Sequence, residues 1–168
     1  IKTVHFVCPS IWAWRAGRVE KLKKSCDHVL CVFPFEPEIL AKHGIPATFV
    51  GHPLASVIPM HPNKAKAREQ LGLNFQDKVV AVLPGSRLAE INHLAPRYFK
   101  AVAGVFSAYS AMKFIVPSMP KHIPLLQKIA KECGVENQVQ ITSGQSHLAL
   151  EACDVTLITS GTATLEAA

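Results

Sequence analysis

Two short segments constrain this chain more than anything else in it: VVAVLPGSR at 79–87 and DVTLITSGTATLE at 154–166. Each reads as a buried β-strand running into a turn of small residues and then a helix. A helix that starts this way presents backbone N–H groups at its N-terminus, where the helix dipole favours an anion. Two such turns from one parallel sheet open on the same edge, the carboxyl edge where open α/β sheets bind ligands. The first turn adds Arg87, whose guanidinium fork can take two phosphate oxygens. The second adds Glu166, a carboxylate suited to the hydroxyls of a ribose diol. The pair therefore points to a nucleoside diphosphate, and to a nucleotide sugar in particular.

Strand-like and helix-like stretches alternate along the whole chain, which predicts an α/β fold with parallel strands. Strands are expected at 3–8, 28–33, 47–50, 78–83, 113–116, 139–142 and 155–158. Helices are expected at 15–25, 36–43, 64–71, 88–106, 121–132 and 146–152. Leu88, Ile91, Leu94, Tyr98, Val102 and Phe106 recur at helical spacing and define an apolar face for the longest of them. Around 58–63 the sequence IPMHPN carries two prolines, which oppose regular structure. A domain boundary is expected there, with residues 1–58 on one side and 59–168 on the other. The chain opens on a strand-like run with no Met before it and stops inside a helix-like one, so it reads as an internal piece of a longer protein.

The 168 residues carry 18 Lys and Arg against 12 Asp and Glu, a net charge of +6. Nucleic acid is a poor fit to this charge, because no dense Lys/Arg run and no aromatic stacking motif accompany it. The charge is equally that of a soluble basic domain with no charged partner, and an anionic membrane surface is the sharper alternative. No apolar run approaches the ~18 residues needed to cross a bilayer, so membrane contact would be peripheral. The five cysteines form no C-x-x-C pair and sit among apolar neighbours. They read as buried thiols of a reducing cytosol, neither disulfides nor zinc ligands.

Several segments could carry chemistry. Gly85 lets the backbone approach a phosphate, Ser86 adds a hydroxyl, and Arg87 can neutralise a diphosphate leaving group. The motif is neither G-x-x-x-x-G-K-[ST] nor G-x-G-x-x-G, so binding would depend on the helix N-terminus and Arg87. Taken alone it is equally a plain strand-to-helix turn. Ser160, Gly161, Thr162 and Glu166 suit close contact with a polar ligand, although by themselves Ser160 could simply cap the helix and Glu166 be a solvated residue. A third loop, at 142–146, places Gln145 and Ser146 where they could read the edge of a base; alone, it is an ordinary turn with Ser146 as N-cap. Near the start, Trp12, Trp14 and Arg15 lead into a basic stretch with Arg18, Lys21, Lys23 and Lys24. That pattern fits an acyl chain or an anionic surface as well as it fits core packing beside a solvated helix. His52, before Pro53, is a structural histidine more readily than a catalytic one. No Ser-His-Asp order, H-E-x-x-H or catalytically spaced carboxylate pair is present.

These segments, in this order and spacing, resemble one family. VCPSIWAWR at 7–15, FPFE at 33–36, FVGHPL at 49–54, LPGSR at 83–87 and SGTATLE at 160–166 are similar to the lipid-A-disaccharide synthases, and the likeness runs through the chain. The resemblance implies a GT-B fold of two Rossmann-like domains, with residues 1–58 the last part of the N-terminal, acceptor-side domain. Residues 59–168 would then be the first part of the C-terminal, donor domain. It implies an inverting transfer of 2,3-diacylglucosamine from its UDP derivative to 2,3-diacylglucosamine 1-phosphate, giving the lipid A disaccharide and UDP. It implies no cofactor and no metal, with positive groups and a helix dipole stabilising UDP instead. Gly85, Ser86 and Arg87 would hold the diphosphate, with Arg87 stabilising the leaving group. Gln145 and Ser146 would meet uracil, and Ser160, Gly161, Thr162 and Glu166 would line the donor site with Glu166 on the ribose. Trp12, Trp14, Arg15 and His52 fall on the acceptor or membrane side. The general base would lie outside this chain, so the piece alone is expected to be inactive. The implied location is cytoplasmic, peripheral on the cytoplasmic face of the inner membrane. A UDP-N-acetylglucosamine 2-epimerase-like isomerase and a non-catalytic UDP-sugar-binding module are the alternatives. The first would need acid/base carboxylates at the donor sugar, and the second would bind UDP without turnover.

Overall fold

The computed structural model describes residues 1–12 and 17–168. Trp14 and Arg15 lie outside the described residues, as does residue 16 of the basic helix expected at 15–25. The chain divides into two compact units, Ile1–Pro59 and Met60–Ala168.

The first unit is a three-stranded parallel sheet in the order β1 (Val4–Phe6), β2 (His28–Cys31), β3 (Ala47–Phe49). Helix α1 (Arg18–Ser25) joins β1 to β2, and α2 (Glu36–Ala41) joins β2 to β3. Helix α1 is amphipathic: Val19 and Leu22 are buried, while Arg18, Lys21, Lys23 and Lys24 are exposed. The core gathers Cys8, Ile11, Val19, Leu22, Val29, Cys31, Leu40 and Ile45. Burial, then the nearby Glu36 and Cys31, push the Cys8 thiol up to about 12, so it stays protonated. The expectation of five buried thiols holds for Cys8 and Cys31 only; Cys26, Cys133 and Cys153 are partly exposed. All five are free.

The second unit is a four-stranded parallel sheet in the order β6-β5-β4-β7, built from β4 (Val79–Leu83), β5 (Lys113–Ser118), β6 (Val139–Ser143) and β7 (Val155–Ile158). Helices α3 (Lys64–Gln70), α4 (Leu88–Ala108), α5 (Ile123–Glu132), α6 (Ser146–Ala152) and α7 (Ala163–Ala167) complete it. Both faces of the sheet are covered, as parallel strands require. Val82, Phe114 and Val116 pack with Ile91, Phe99 and Leu126 on one side. Val79, Ala81, Leu83 and Ile115 pack with Ala67, Leu71, Ala149 and Ala152 on the other. The alternation along β4 is the period of two that sends successive side chains to opposite faces.

Two details depart from the sequence reading. Strand β5 runs on through Pro117, which cannot donate to a sheet ladder. It is tolerated because pairing with β4 ends at Ile115, and Pro117 pairs with β6 alone. On α4 the buried stripe is Ile91, Ala95, Phe99 and Val102, and Leu88 is exposed. The helix is thus turned slightly from the expected face, with its first residue left beside the preceding turn.

An ionic staple ties the entrance of this unit together. Arg68, buried on α3, donates to the carbonyls of Ala152 (3.0 Å) and Phe75 and to Asp154 Oδ2 (2.9 Å). Asp154 also accepts from Val79 N at 2.8 Å and from Lys64 Nζ at 2.5 Å. Burial pulls the Asp154 carboxyl up, but the Lys64 and Val79 bonds and the two cations outweigh it and lower it to about 2.

Candidate functional site

Strand β4 lies between β5, which follows it in sequence, and β7, which arrives last. The order therefore reverses at the β4–β7 junction, the kind of switch point where open α/β sheets form a ligand crevice. A cleft of about 320 Å³ sits there, at the carboxyl ends of the strands. Four turns of the second unit build it.

The β4–α4 turn contributes Gly85, Ser86 and Arg87, joined by Glu90 from the first turn of the helix. Gly85 has φ +118°, and a Cβ there would lie 2.7 Å from Glu90 Cβ and 2.8 Å from its Oε2. Only glycine suits both the conformation and the space. Glu90 Oε2 accepts from Ser86 N (3.1 Å) and Arg87 N (3.2 Å), and Oε1 accepts from Arg87 Nη1 (2.6 Å). This corrects the expectation of free N–H groups: the chain's own carboxylate takes these two amides. Hydrogen bonding from the Arg87 guanidinium, then from the Arg87 and Ser86 amides, holds the Glu90 carboxyl below the usual range. The Arg87 side chain remains 81% exposed.

The β7–α7 turn brings Ser160, Gly161, Thr162 and, from the helix, Glu166 to the same cleft. It is tied to the β4 side at Thr159, whose N and Oγ1 both donate to Leu83 O, at 3.0 and 3.1 Å. Ser160 does not cap α7; the N-cap is Thr162, whose side chain makes no capping bond. Glu166 pairs with His147, with Oε2 3.1 Å from Nε2. The β6–α6 turn supplies Gly144 and Ser146. Gln145 between them is exposed, adopts a left-handed conformation (φ 63°) and is itself the N-cap residue of α6, the place that an ordinary turn would give to Ser146. Its side chain is not among the groups lining the cleft.

Of the residues expected on the donor site, Gly85, Ser86, Arg87, Ser146, Ser160, Gly161, Thr162 and Glu166 all line this one cleft. In the first unit, Trp12 packs edge-on to Phe35 (5.2 Å) and Phe33 (6.4 Å). His52 Nδ1 accepts from Leu54 N at 3.2 Å, a local cap on the 3-10 turn Pro53–Ser56.

A model of the family "Lipid-A-disaccharide synthetase" matches residues 1–168. The chain belongs to this family. A lipid-A-disaccharide synthase of Albidiferax ferrireducens is 62% identical over 168 residues, covering all of this chain and 43% of the relative. The chain thus spans less than half the length of the curated relatives it matches. Among solved structures, a glycosyltransferase from Rickettsia africae superposes with a TM-score of 0.57 at 12% identity, over 98% of this chain and 48% of that one. A mutant of S. aureus TarM, solved with UDP, fondaparinux and alpha-GlcNAc-glycerol, gives 0.52 at 14% identity, over 96% of this chain and 34% of that one. The fold class is α/β of GT-B type, with Rossmann-like parallel sheets.

The end of β5 and its turn to α5, with Pro117, Ser118, Met119 and His122, were not anticipated as part of the cleft, nor was Glu90; two of these residues are ionisable. Glu90 is one; an acidic residue three positions after Arg87 was its available signal, but Arg is not a usual partner in a capping box. His122 is the other. It precedes α5, is 7% exposed, and has an Nε2 without a partner. Nothing in the flanking prolines marks it as buried. The cleft as a whole brings together an exposed cation, Arg87, several hydroxyls and a carboxylate, Glu166, that is paired with His147.

Proposed function

We propose that the protein containing this chain transfers 2,3-diacylglucosamine from its UDP derivative to 2,3-diacylglucosamine 1-phosphate, with inversion, in lipid A biosynthesis. The observation that carries this reading is the family match over all 168 residues, taken with a cleft that gathers the residues suited to a UDP-sugar. The first unit is part of the acceptor-side domain, and the second is part of the donor domain. In the transfer, the bond between the donor sugar's anomeric carbon and the β-phosphate oxygen breaks as the acceptor hydroxyl attacks. Negative charge then develops on the departing diphosphate. Arg87 and the N-terminus of α4 are placed to receive that charge, and Gly85 lets the diphosphate come close. For the Ser86 and Arg87 amides to take part, Glu90 has to release them. Ser146, with Gly144 of the same turn, meets the uracil, while Ser160, Gly161 and Thr162 line the donor site and Glu166 takes the ribose hydroxyls; Gln145, which does not line the cleft, is left out of this contact. No base for the acceptor hydroxyl is assigned to these residues, so chain 1–168 by itself is expected to be inactive.

The exposed basic face of α1 supports contact with an anionic membrane surface, peripheral on the cytoplasmic face of the inner membrane. No helix among the described residues is long and apolar enough to cross a membrane.

The test is UDP release from UDP-2,3-diacylglucosamine by a polypeptide of the relatives' full length, with and without 2,3-diacylglucosamine 1-phosphate. Acceptor-dependent release is expected, and Arg87→Ala should lower its rate by about 10²–10³. Release that ignores the acceptor, or that survives Arg87→Ala, would refute the assignment.

A further inference from the structure

We propose that His147 is a positioning residue for Glu166, fixing the carboxylate that discriminates ribose from deoxyribose in the nucleotide. This rests on the reading that Glu166 takes the ribose hydroxyls. Helix α7, which carries Glu166, is five residues long and has no buried residue. Little in the helix itself holds a long Glu side chain in one rotamer, and ordering such a chain at the moment of binding costs entropy. His147 removes that freedom beforehand. It is the second residue of α6, and its Nε2 lies 3.1 Å from Glu166 Oε2. Either the neutral ring with its hydrogen on Nε2 or the imidazolium makes this bond.

The two residues stand differently to the cleft. Glu166 lines it and is only 19% exposed at its side chain. His147 is 48% exposed and does not line it. His147 therefore acts through Glu166 and not on the ligand. With Oε2 engaged, Oε1 accepts nothing from the described residues and is left to meet a hydroxyl. A carboxylate is an acceptor only, so it rewards a ribose hydroxyl and gives nothing to a deoxyribose carbon.

The experiment compares dissociation constants for UDP and 2′-deoxy-UDP and 3′-deoxy-UDP in a polypeptide of the relatives' full length, with Tm as a check on folding. The parent should prefer UDP over at least one deoxy analogue by about tenfold or more. Glu166→Gln should reduce that ratio sharply. His147→Ala should reduce it by about threefold or more, and His147→Gln, which keeps an N–H donor, should restore most of it. If His147→Ala keeps the parent ratio, or weakens UDP and its deoxy analogues equally, the positioning role is wrong while the Glu166 reading stands. A ratio that falls in His147→Ala and does not return in His147→Gln also overturns it. If Glu166→Gln itself leaves the ratio unchanged, the ribose reading fails and the proposal falls with it.

Discussion

The β2–α2 turn of the first unit and the β4–α4 turn of the second use one device in two settings. In each, a glutamate early in the helix folds back so that one oxygen accepts two consecutive backbone amides. Glu36 Oε2 accepts from Val32 N and Phe33 N, both at 3.0 Å. Glu90 Oε2 accepts from Ser86 N and Arg87 N. The surroundings differ. Glu36 is fully buried, with Phe33 stacked on Phe35 at 5.7 Å and Trp12 edge-on to both. Its other oxygen has no partner. Glu90 stands at the edge of an open cleft, and its other oxygen is paired with an exposed guanidinium. A carboxylate sealed from water and from ligands is a permanent part of the turn. One that solvent reaches is open to competition from another anion, so the same backbone geometry is sealed in one unit and, on the proposed function, exchangeable in the other.

The largest effect should come from the sealed turn. Glu36→Ala removes two charge-assisted bonds and leaves two amides without partners where water is scarce. It is expected to destabilise the first unit by about 3 kcal/mol, read from urea unfolding followed by Trp fluorescence. A change under about 0.5 kcal/mol would mean that water replaces the carboxylate there, and the contrast between the turns would vanish. Gly85→Ala attacks the open turn. Its Cβ would strike Glu90 and its backbone would be held at φ +118°, a strain of about 1–3 kcal/mol. The expected outcome is a modest fall in stability with a marked loss of UDP affinity, since Glu90 and the turn must both shift. Unchanged UDP binding would separate the turn from the nucleotide site.

A smaller effect, confined to acid, tests whether the second unit has its permanent carboxylate elsewhere. Asp154 has its folded-state value depressed from 3.8 to about 2. Its contribution is therefore complete above pH 3.8 and is lost as pH falls through about 2. Asp154→Asn should remove that part of the acid dependence and lower stability at neutral pH, both measurable by denaturant titration across pH. If the wild type and the variant keep parallel acid limbs between about pH 4 and about pH 2, the Arg68–Lys64–Asp154 staple is not held by charge.

The fold was legible where local pattern and tertiary context agree. The run 155–158 reads as a strand and is one, because four apolar or β-branched residues between turns have no helical alternative of that length. The residues of the cleft were legible for a similar reason: Gly85 and Gly161 stand where strands end, and parallel topology brings strand ends to one edge. What could not be read was who occupies the hydrogen bonds. Glu90 looks like an ordinary acidic residue of a first helical turn, and Glu36 looks like a solvated one before Pro37. Whether such a side chain points outward or folds back depends on a glycine's conformation and on aromatic cover, neither of which has a sequence period. His122 and the His147–Glu166 pair were hidden for the same cause, since their partners or lack of them arise from distant segments meeting.

The smallest effect is also the sharpest test of the difference between the turns. Glu90→Gln keeps the shape of the side chain and an acceptor for the Ser86 and Arg87 amides, but removes the charge that competes with a diphosphate. If the open turn is held by an exchangeable anion, the variant should bind UDP a few-fold more tightly, with stability barely altered, because an internal competitor has been weakened. Inorganic pyrophosphate should gain in the same proportion, since the competition concerns the anion and not the nucleoside. Uridine, which has no phosphate, should gain nothing. Weaker UDP binding in Glu90→Gln would mean that the carboxylate keeps hold of Arg87 while the nucleotide is bound. Glu90 would then resemble Glu36 after all, and the two turns would differ only in how much water they see.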